Sequence, residues 1–159
     1  MRKLFLTAAA MLFAGLGSIV SAAPEQEATA DKPAEVKWQT NFAAAQEIAK
    51  KEKKVLFVDF SGSDWCGWCI KLHKEVLSQK AFLDYAKDNL VLVLIDFPRK
   101  STQTSEEKRQ NNALAKQFGI DGFPTVLLIS PEGQVLAKTG YRRGGAAAYV
   151  NYLKTTLKR

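Results

Sequence analysis

A chain of 159 residues, 47% of them hydrophobic and 25% charged, suits one globular domain with a short extension; it excludes disorder throughout and leaves two full domains cramped. Its 23 Lys and Arg against 16 Asp and Glu give a net charge of +7. The aromatics are not interleaved with the basic clusters as they are on a nucleic-acid surface, so the excess reads as a solvated face that favours acidic partners or an anionic membrane surface.

Residues 1–22 read as an export signal: Arg2 and Lys3, an apolar run over 4–20, then the small residues Ser21 and Ala22. An uncleaved anchor is the rival, but seventeen mostly apolar residues fall short of a usual span, and Gly15, Gly17 and Ser18 weaken that helix. Cleavage places the mature protein in the periplasm or outside the cell, where disulfides persist. Residues 23–37, rich in Ala, Glu, Pro and Lys without apolar periodicity, read as a flexible tether. The globular domain then runs over 38–159.

Phe42, Ala45, Ile48 and Ala49 recur at helical spacing up to a lysine run. Residues 55–60, Val-Leu-Phe-Val-Asp-Phe, form a nearly continuous apolar strand of the kind buried on both faces. Ser61-Gly62-Ser63-Asp64 turns the chain. A helix starts at about Cys66 and runs through Ile70, Leu72, Val76 and Leu77, and a further helical segment surrounds Phe82 and Tyr85. Residues 90–97 are a second buried strand closed by Pro98. A polar loop leads to a helix capped by Ser105 that stops at Gly119, followed by a hairpin of strands 125–129 and 135–139 and a last helix over about 146–158. Right-handed crossovers set the first two strands parallel and adjacent with helices on both faces, and the hairpin antiparallel beyond them. The class is α/β.

The two cysteines, Cys66 and Cys69, are the only ones in the chain. They can be a redox couple, half of a metal site or a structural staple. A staple across three residues closes too small a loop to stabilise much. Zinc wants about four ligands, and the chain adds only His73, so no metal is expected, although a two-thiolate copper(I) site is chemically allowed. Ile70 stands where c-type haem attachment needs His. His73 is either solvated or a proton shuttle tuning the pair.

The topology puts Cys66 at the exposed top of a central strand, where unpaired N–H groups and the helix dipole stabilise a thiolate. Cys66 is the nucleophile on this reading, and Cys69, one turn further in and less exposed, is the resolving thiol. Asp59 interrupts an apolar strand; burial raises its pKa and makes it a proton acceptor for Cys69. Otherwise its carboxylate caps the turn at 61–64.

Val58-Asp59-Phe60, Trp65-Cys66-Gly67-Trp68-Cys69, Gly122-Phe123-Pro124-Thr125 and Gly140 resemble the thioredoxin superfamily from about residue 42 to the C-terminus. Within it the chain is most similar to exported thioredoxin-like proteins and to the C-terminal periplasmic domain of the reductant conduit DsbD. The resemblance implies a thioredoxin fold with a central mixed sheet of four to five strands and helices on both faces. It implies a cis-proline at Pro124, beside which an extended substrate pairs with backbone at Phe123; a shielding Trp65; a groove glycine at Gly140; and a buried acid at Asp59. One extra residue separates Asp59 from Cys66, and the lysine that partners this acid in thioredoxins has no counterpart at Leu92 to Leu94.

The expected function is therefore an exported thiol-disulfide oxidoreductase, using the Cys66–Cys69 disulfide and no other cofactor. Gly67-Trp68 supplies no cation between the thiols, which favours a reductase or exchange catalyst over a strong oxidant. A peroxidase would need polar stabilisers around Cys66. Trp65, Trp68 and Phe123 form an apolar rim for protein disulfide substrates, a membrane thiol donor is implied, and the protein is expected to be a monomer. A non-catalytic binding module and a copper(I) carrier are the alternatives.

Overall fold

The computed structural model describes residues 36–158. The expected signal peptide and all but the last two residues of the expected tether lie outside them. Val36, placed in the tether by composition, is half-buried and packs against the core with Trp38.

Five strands form one mixed sheet: β1 Trp38–Gln39, β2 Val55–Ser61, β3 Leu90–Asp96, β4 Thr125–Ile129 and β5 Val135–Thr139. Their order is β1-β3-β2-β4-β5, with β2 parallel to β3 and antiparallel to β4. Two residues make β1 too short for any periodicity to announce it; it pairs parallel to β3 through Trp38 opposite Leu92. Every residue of β2 is buried, as befits the central strand.

Side chains alternate along β2 and feed two cores. Val55 and Phe57 join Leu72, Val76, Phe82 and Tyr149 on the face covered by α2 (Gly67–Leu72), α3 (Lys80–Asn89) and α5 (Gly145–Leu157). Phe57 is the hub, with ring centroids 5.2 Å from Phe82 and 6.3 Å from both Trp38 and Tyr149. Leu56, Val58 and Phe60 join Ala45 and Ala49 of α1 (Phe42–Glu52) and Leu114 of α4 (Ser105–Gln117) on the other face. By the same alternation Asp59 points to the Phe57 face, the one on which α2 lies.

Two local expectations shift, and the expected stop of α4 at Gly119 holds. The helix that starts after Cys66 does not run uniformly: α2 widens at His73–Leu77 into a π-helical turn that packs against α5. The cap of α4 is Thr104 rather than Ser105, because Thr104 and Glu107 make a reciprocal capping box. Helix α4 ends at Gln117, and Gly119 follows at φ +57°.

Candidate active site

Cys66 is the N-cap of α2. Its Sγ accepts the Cys69 N–H at 3.2 Å, the bond a serine or aspartate oxygen would make there. Cys66 and Cys69 are joined in a disulfide with Cα atoms 5.2 Å apart, and the Gly62 N–H points at Cys69 Sγ at 3.5 Å. Two features that stabilise a Cys66 thiolate, an N–H donor and the positive end of a helix, therefore converge on one sulfur. In this oxidised state neither cysteine stands out in solvent, with exposures of 7% for Cys66 and 4% for Cys69. The expectation of an exposed Cys66 is corrected on that point: a sulfur that accepts from the first helical turn folds back over it.

Asp59 is 5% exposed, and its Oδ1 has no hydrogen-bond partner among the described residues. Burial, with the nearby Asp96 charge adding to it, pushes its carboxyl up to about 7. It faces a cavity of about 350 Å³ lined by Asp59, Ser61, Ser63, Cys69, Ile70, His73, Lys74 and Leu94. A buried acid, the inner cysteine and His73 thus share one space. Leu94 is the β3 residue opposite Asp59, so no cation stands there in register. The alternative role for Asp59, capping the turn at 61–64, is overturned: Asp96 does that work, accepting Ser63 N–H at 2.9 Å and Ser63 Oγ–H at 2.6 Å.

The Phe123–Pro124 peptide is cis. Phe123 packs edge-on to Trp65 at 6.0 Å and stacks on Phe97 at 5.1 Å. Trp65 also donates from Nε1 to the Phe97 carbonyl at 2.7 Å, so it is held on two sides. Trp68 is the opposite case: it is 55% exposed and leans on Tyr141 at 5.3 Å, and Ile70, two residues further along α2, is exposed as well. The aromatic rim expected from Trp65, Trp68 and Phe123 thus falls into an anchored part and an open part.

Gly140 lies against Pro124. A Cβ on Gly140 would sit 2.7 Å from the Pro124 carbonyl oxygen, and the Gly140 carbonyl accepts the Tyr149 hydroxyl at 3.2 Å. Gly140→Ala should therefore push the Pro124 loop aside and cost about 1–3 kcal/mol, as overpacking does. A urea midpoint unchanged from wild type would contradict this close approach.

Several residues that sequence reasoning missed complete the site. Gly62 is one, because a Cβ there would lie 2.5 Å from the Trp65 ring. Asp64 is another: its carboxylate accepts the N–H groups of Arg99, Lys100 and Ser101 at 2.9, 2.7 and 3.1 Å, and these bonds hold its pKa below the usual carboxylate range. Tyr141 donates to Glu75 at 2.6 Å. The glycine beside a tryptophan-led dithiol was the one local signal available; the other partners are distant in sequence.

A parallel-then-antiparallel sheet, a cysteine pair at the start of the helix after its central strand and a cis Phe123–Pro124 peptide whose Phe123 packs on Trp65 define a thioredoxin-like protein. Residues 42–155 match the thioredoxin-like domain family, and the chain belongs to it. It is 39% identical over 125 residues to the disulfide bond reductase DsbH of Chlamydia pneumoniae, covering 79% of this chain and 75% of that one. A solved structure of a DsbH oxidoreductase superposes with a TM-score of 0.75 at 37% identity, covering 87% of this chain and 95% of the other. The reduced DsbD C-terminal domain of Neisseria meningitidis shares the fold, with a TM-score of 0.53 at 19% identity over 72% of this chain and 91% of that domain.

Proposed function

We propose that this protein is a thiol-disulfide oxidoreductase that reduces protein disulfides in an exported compartment, with the Cys66–Cys69 pair as its redox centre and a membrane thiol donor restoring the dithiol. The observation that carries the reading is the Cys66 sulfur seated as the cap of α2 with Cys69 one turn behind it. The 39% identity to a disulfide bond reductase supports the direction of electron flow.

In the reduced protein the Cys66 thiolate attacks one sulfur of a substrate disulfide, forming a mixed disulfide and releasing the other substrate sulfur as a thiolate that takes a proton from water. Asp59 takes the Cys69 proton through the shared cavity. The Cys69 thiolate then attacks Cys66 Sγ, closing the Cys66–Cys69 bond and expelling the second substrate thiolate, which is protonated in turn. The substrate gains two electrons from the cysteine pair and two protons, one from water, which holds the proton Cys66 gave up on ionising, and one from Cys69 by way of Asp59. Desolvation of Asp59 matters because a carboxyl titrating near 7 accepts and returns a proton at neutral pH, which an ordinary aspartate does poorly. An extended substrate segment pairs with backbone at Phe123, and Pro124 and Gly140 shape the floor beneath it.

The test is catalysed insulin reduction with dithiothreitol as the donor, together with the potential of the couple. Rapid insulin precipitation and a potential near about −270 mV support a reductase, whereas a potential near about −120 mV would make the protein an oxidant.

A further inference from the structure

The rim of the dithiol carries a charge pattern that thiol-disulfide exchange does not itself require. Each tryptophan of the motif has a cation on its ring. The Arg99 guanidinium lies 3.8 Å from the Trp65 ring centroid, and Lys71 Nζ lies 5.3 Å from Trp68 and 5.4 Å from Tyr141. Arg99 belongs to the segment after β3, and Tyr141 follows β5. Because β3 and β5 flank the β2–β4 pair in the sheet, Arg99 comes from one side and Tyr141, with Lys71 of α2 against its ring, from the other.

The neighbouring carboxylates are turned to internal use. Asp64 binds three successive backbone N–H groups and so pins Arg99 and Lys100 at the rim. Asp96 holds Ser63, and Glu75 is shared between Tyr141 and Lys71, the latter at 3.8 Å. Arg99, Lys100, Arg142 and Arg143 take part in no ion pair among the described residues. The face around the cysteines is apolar at Trp65, Trp68 and Phe123, and at its edges Arg99, Lys100 and Lys71 present side-chain charges while the Asp64 and Glu75 carboxylates are held by hydrogen bonds to the protein itself.

We propose that these cation-bearing aromatic lips select disulfides flanked by acidic residues, so that the preferred substrates are extended segments with Asp or Glu within a residue or two of the reacting cysteine. This rests on the reductase reading and adds a substrate class to it. A guanidinium seated over an indole ring keeps N–H groups free of it, and those groups match a carboxylate in bidentate fashion. The ring beneath excludes water from one side and strengthens the pair. Lys71 offers a compact second charge for a carboxylate on the Tyr141 side.

The experiment uses self-quenched disulfide dimers of a short peptide whose cysteine is flanked by Glu, Gln or Lys. Each is mixed with the pre-reduced full chain, and each rate is divided by the same peptide's rate with dithiothreitol, whose attacking form is likewise a thiolate, which removes differences in intrinsic disulfide reactivity. At about 20 mM salt the Glu peptide should react about tenfold faster than the Gln peptide, and at about 500 mM that ratio should approach one. Arg99→Gln and Lys71→Gln should each lower the Glu-to-Gln ratio about threefold, the size of one exposed ion pair, and Arg99→Lys should lower it less. Lys51→Gln, at the end of α1 near the start of β2 and away from the dithiol, removes the same charge and should leave the ratio alone.

Equal normalised rates for the Glu and Gln peptides, with both reduced, would overturn the charge selection and leave the reductase intact. An equal fall in the ratio for Lys51→Gln would overturn it as well, by assigning the preference to net charge. If dithiothreitol reduces all three peptides and the protein reduces none, the reductase reading fails and the selectivity falls with it.

Discussion

The Cys69→Ser protein is expected to reduce insulin no faster than dithiothreitol alone, while its remaining thiol is alkylated rapidly by iodoacetamide at neutral pH and forms a mixed disulfide with substrate that persists. In the wild-type chain the proposed mechanism makes that mixed disulfide short-lived, because Cys69 waits one helical turn away, with its Cα 5.2 Å from that of Cys66. Serine keeps the volume and the fold but cannot complete the exchange. The reciprocal Cys66→Ser protein loses turnover too, and here the remaining thiol, which lies over the Asp59 cavity without the helix-cap position, should alkylate slowly. Mass spectrometry of iodoacetamide adducts against time separates the two. Equal, sluggish alkylation of both single-cysteine proteins would mean that the helix cap does not ionise Cys66, and the assignment of nucleophile and resolver would fail.

The second large effect belongs to Asp59, and it reads out in stability as well as in rate. Its folded pKa of about 7 lies above the ordinary aspartate value of 3.8, so the folded protein holds this proton more tightly than the unfolded chain does. Below about pH 4 the group is protonated in both states and costs nothing. As pH rises toward 7 the unfolded chain gives up the proton while the folded protein keeps it, so stability falls, and above 7 the full penalty of a buried charge is present. Three pKa units at 1.36 kcal/mol each make that penalty about 4 kcal/mol as an order of magnitude. Asp59→Asn removes it. The stability advantage of the oxidised variant over oxidised wild type should therefore grow by about 4 kcal/mol from pH 4 to pH 8, measured by urea unfolding. Its mixed disulfide should also resolve more slowly at neutral pH, by about a hundredfold, the lower end of what a positioned base supplies. Parallel stability curves for the two proteins would mean that Asp59 is solvated, and its role as proton acceptor would be lost with its shift. The variant thus trades activity for stability, the usual bargain at a strained site.

Legibility in the sequence followed the range of the interactions involved. The run at 55–60, the turn at 61–64 and the helix after Cys66 are local patterns, and they suffice to put both cysteines at the end of a buried central strand. Asp59 was visible for the same reason: a carboxylate inside an apolar strand has few comfortable states. Its competing role as a turn cap could not be dismissed locally, since that depends on which carboxylate reaches Ser63. The answer, Asp96, lies 33 residues away and arrives only because β3 runs parallel to β2 with Ser61 opposite it. The two-residue β1 escaped notice because its strand character comes from its partner and not from its own side chains.

The amino-acid order on its own determined the α/β class, the strand and helix succession and the position of the dithiol, because hydrophobic period, turn residues and helix caps act over a few residues. Tertiary structure alone decided what surrounds that dithiol: Arg99 on Trp65, Asp64 gripping residues 99–101, Gly140 against the Pro124 carbonyl, and one cavity shared by Asp59, Cys69 and His73. Each of those contacts joins segments from different strands or loops, and only the register of the closed sheet brings them within reach.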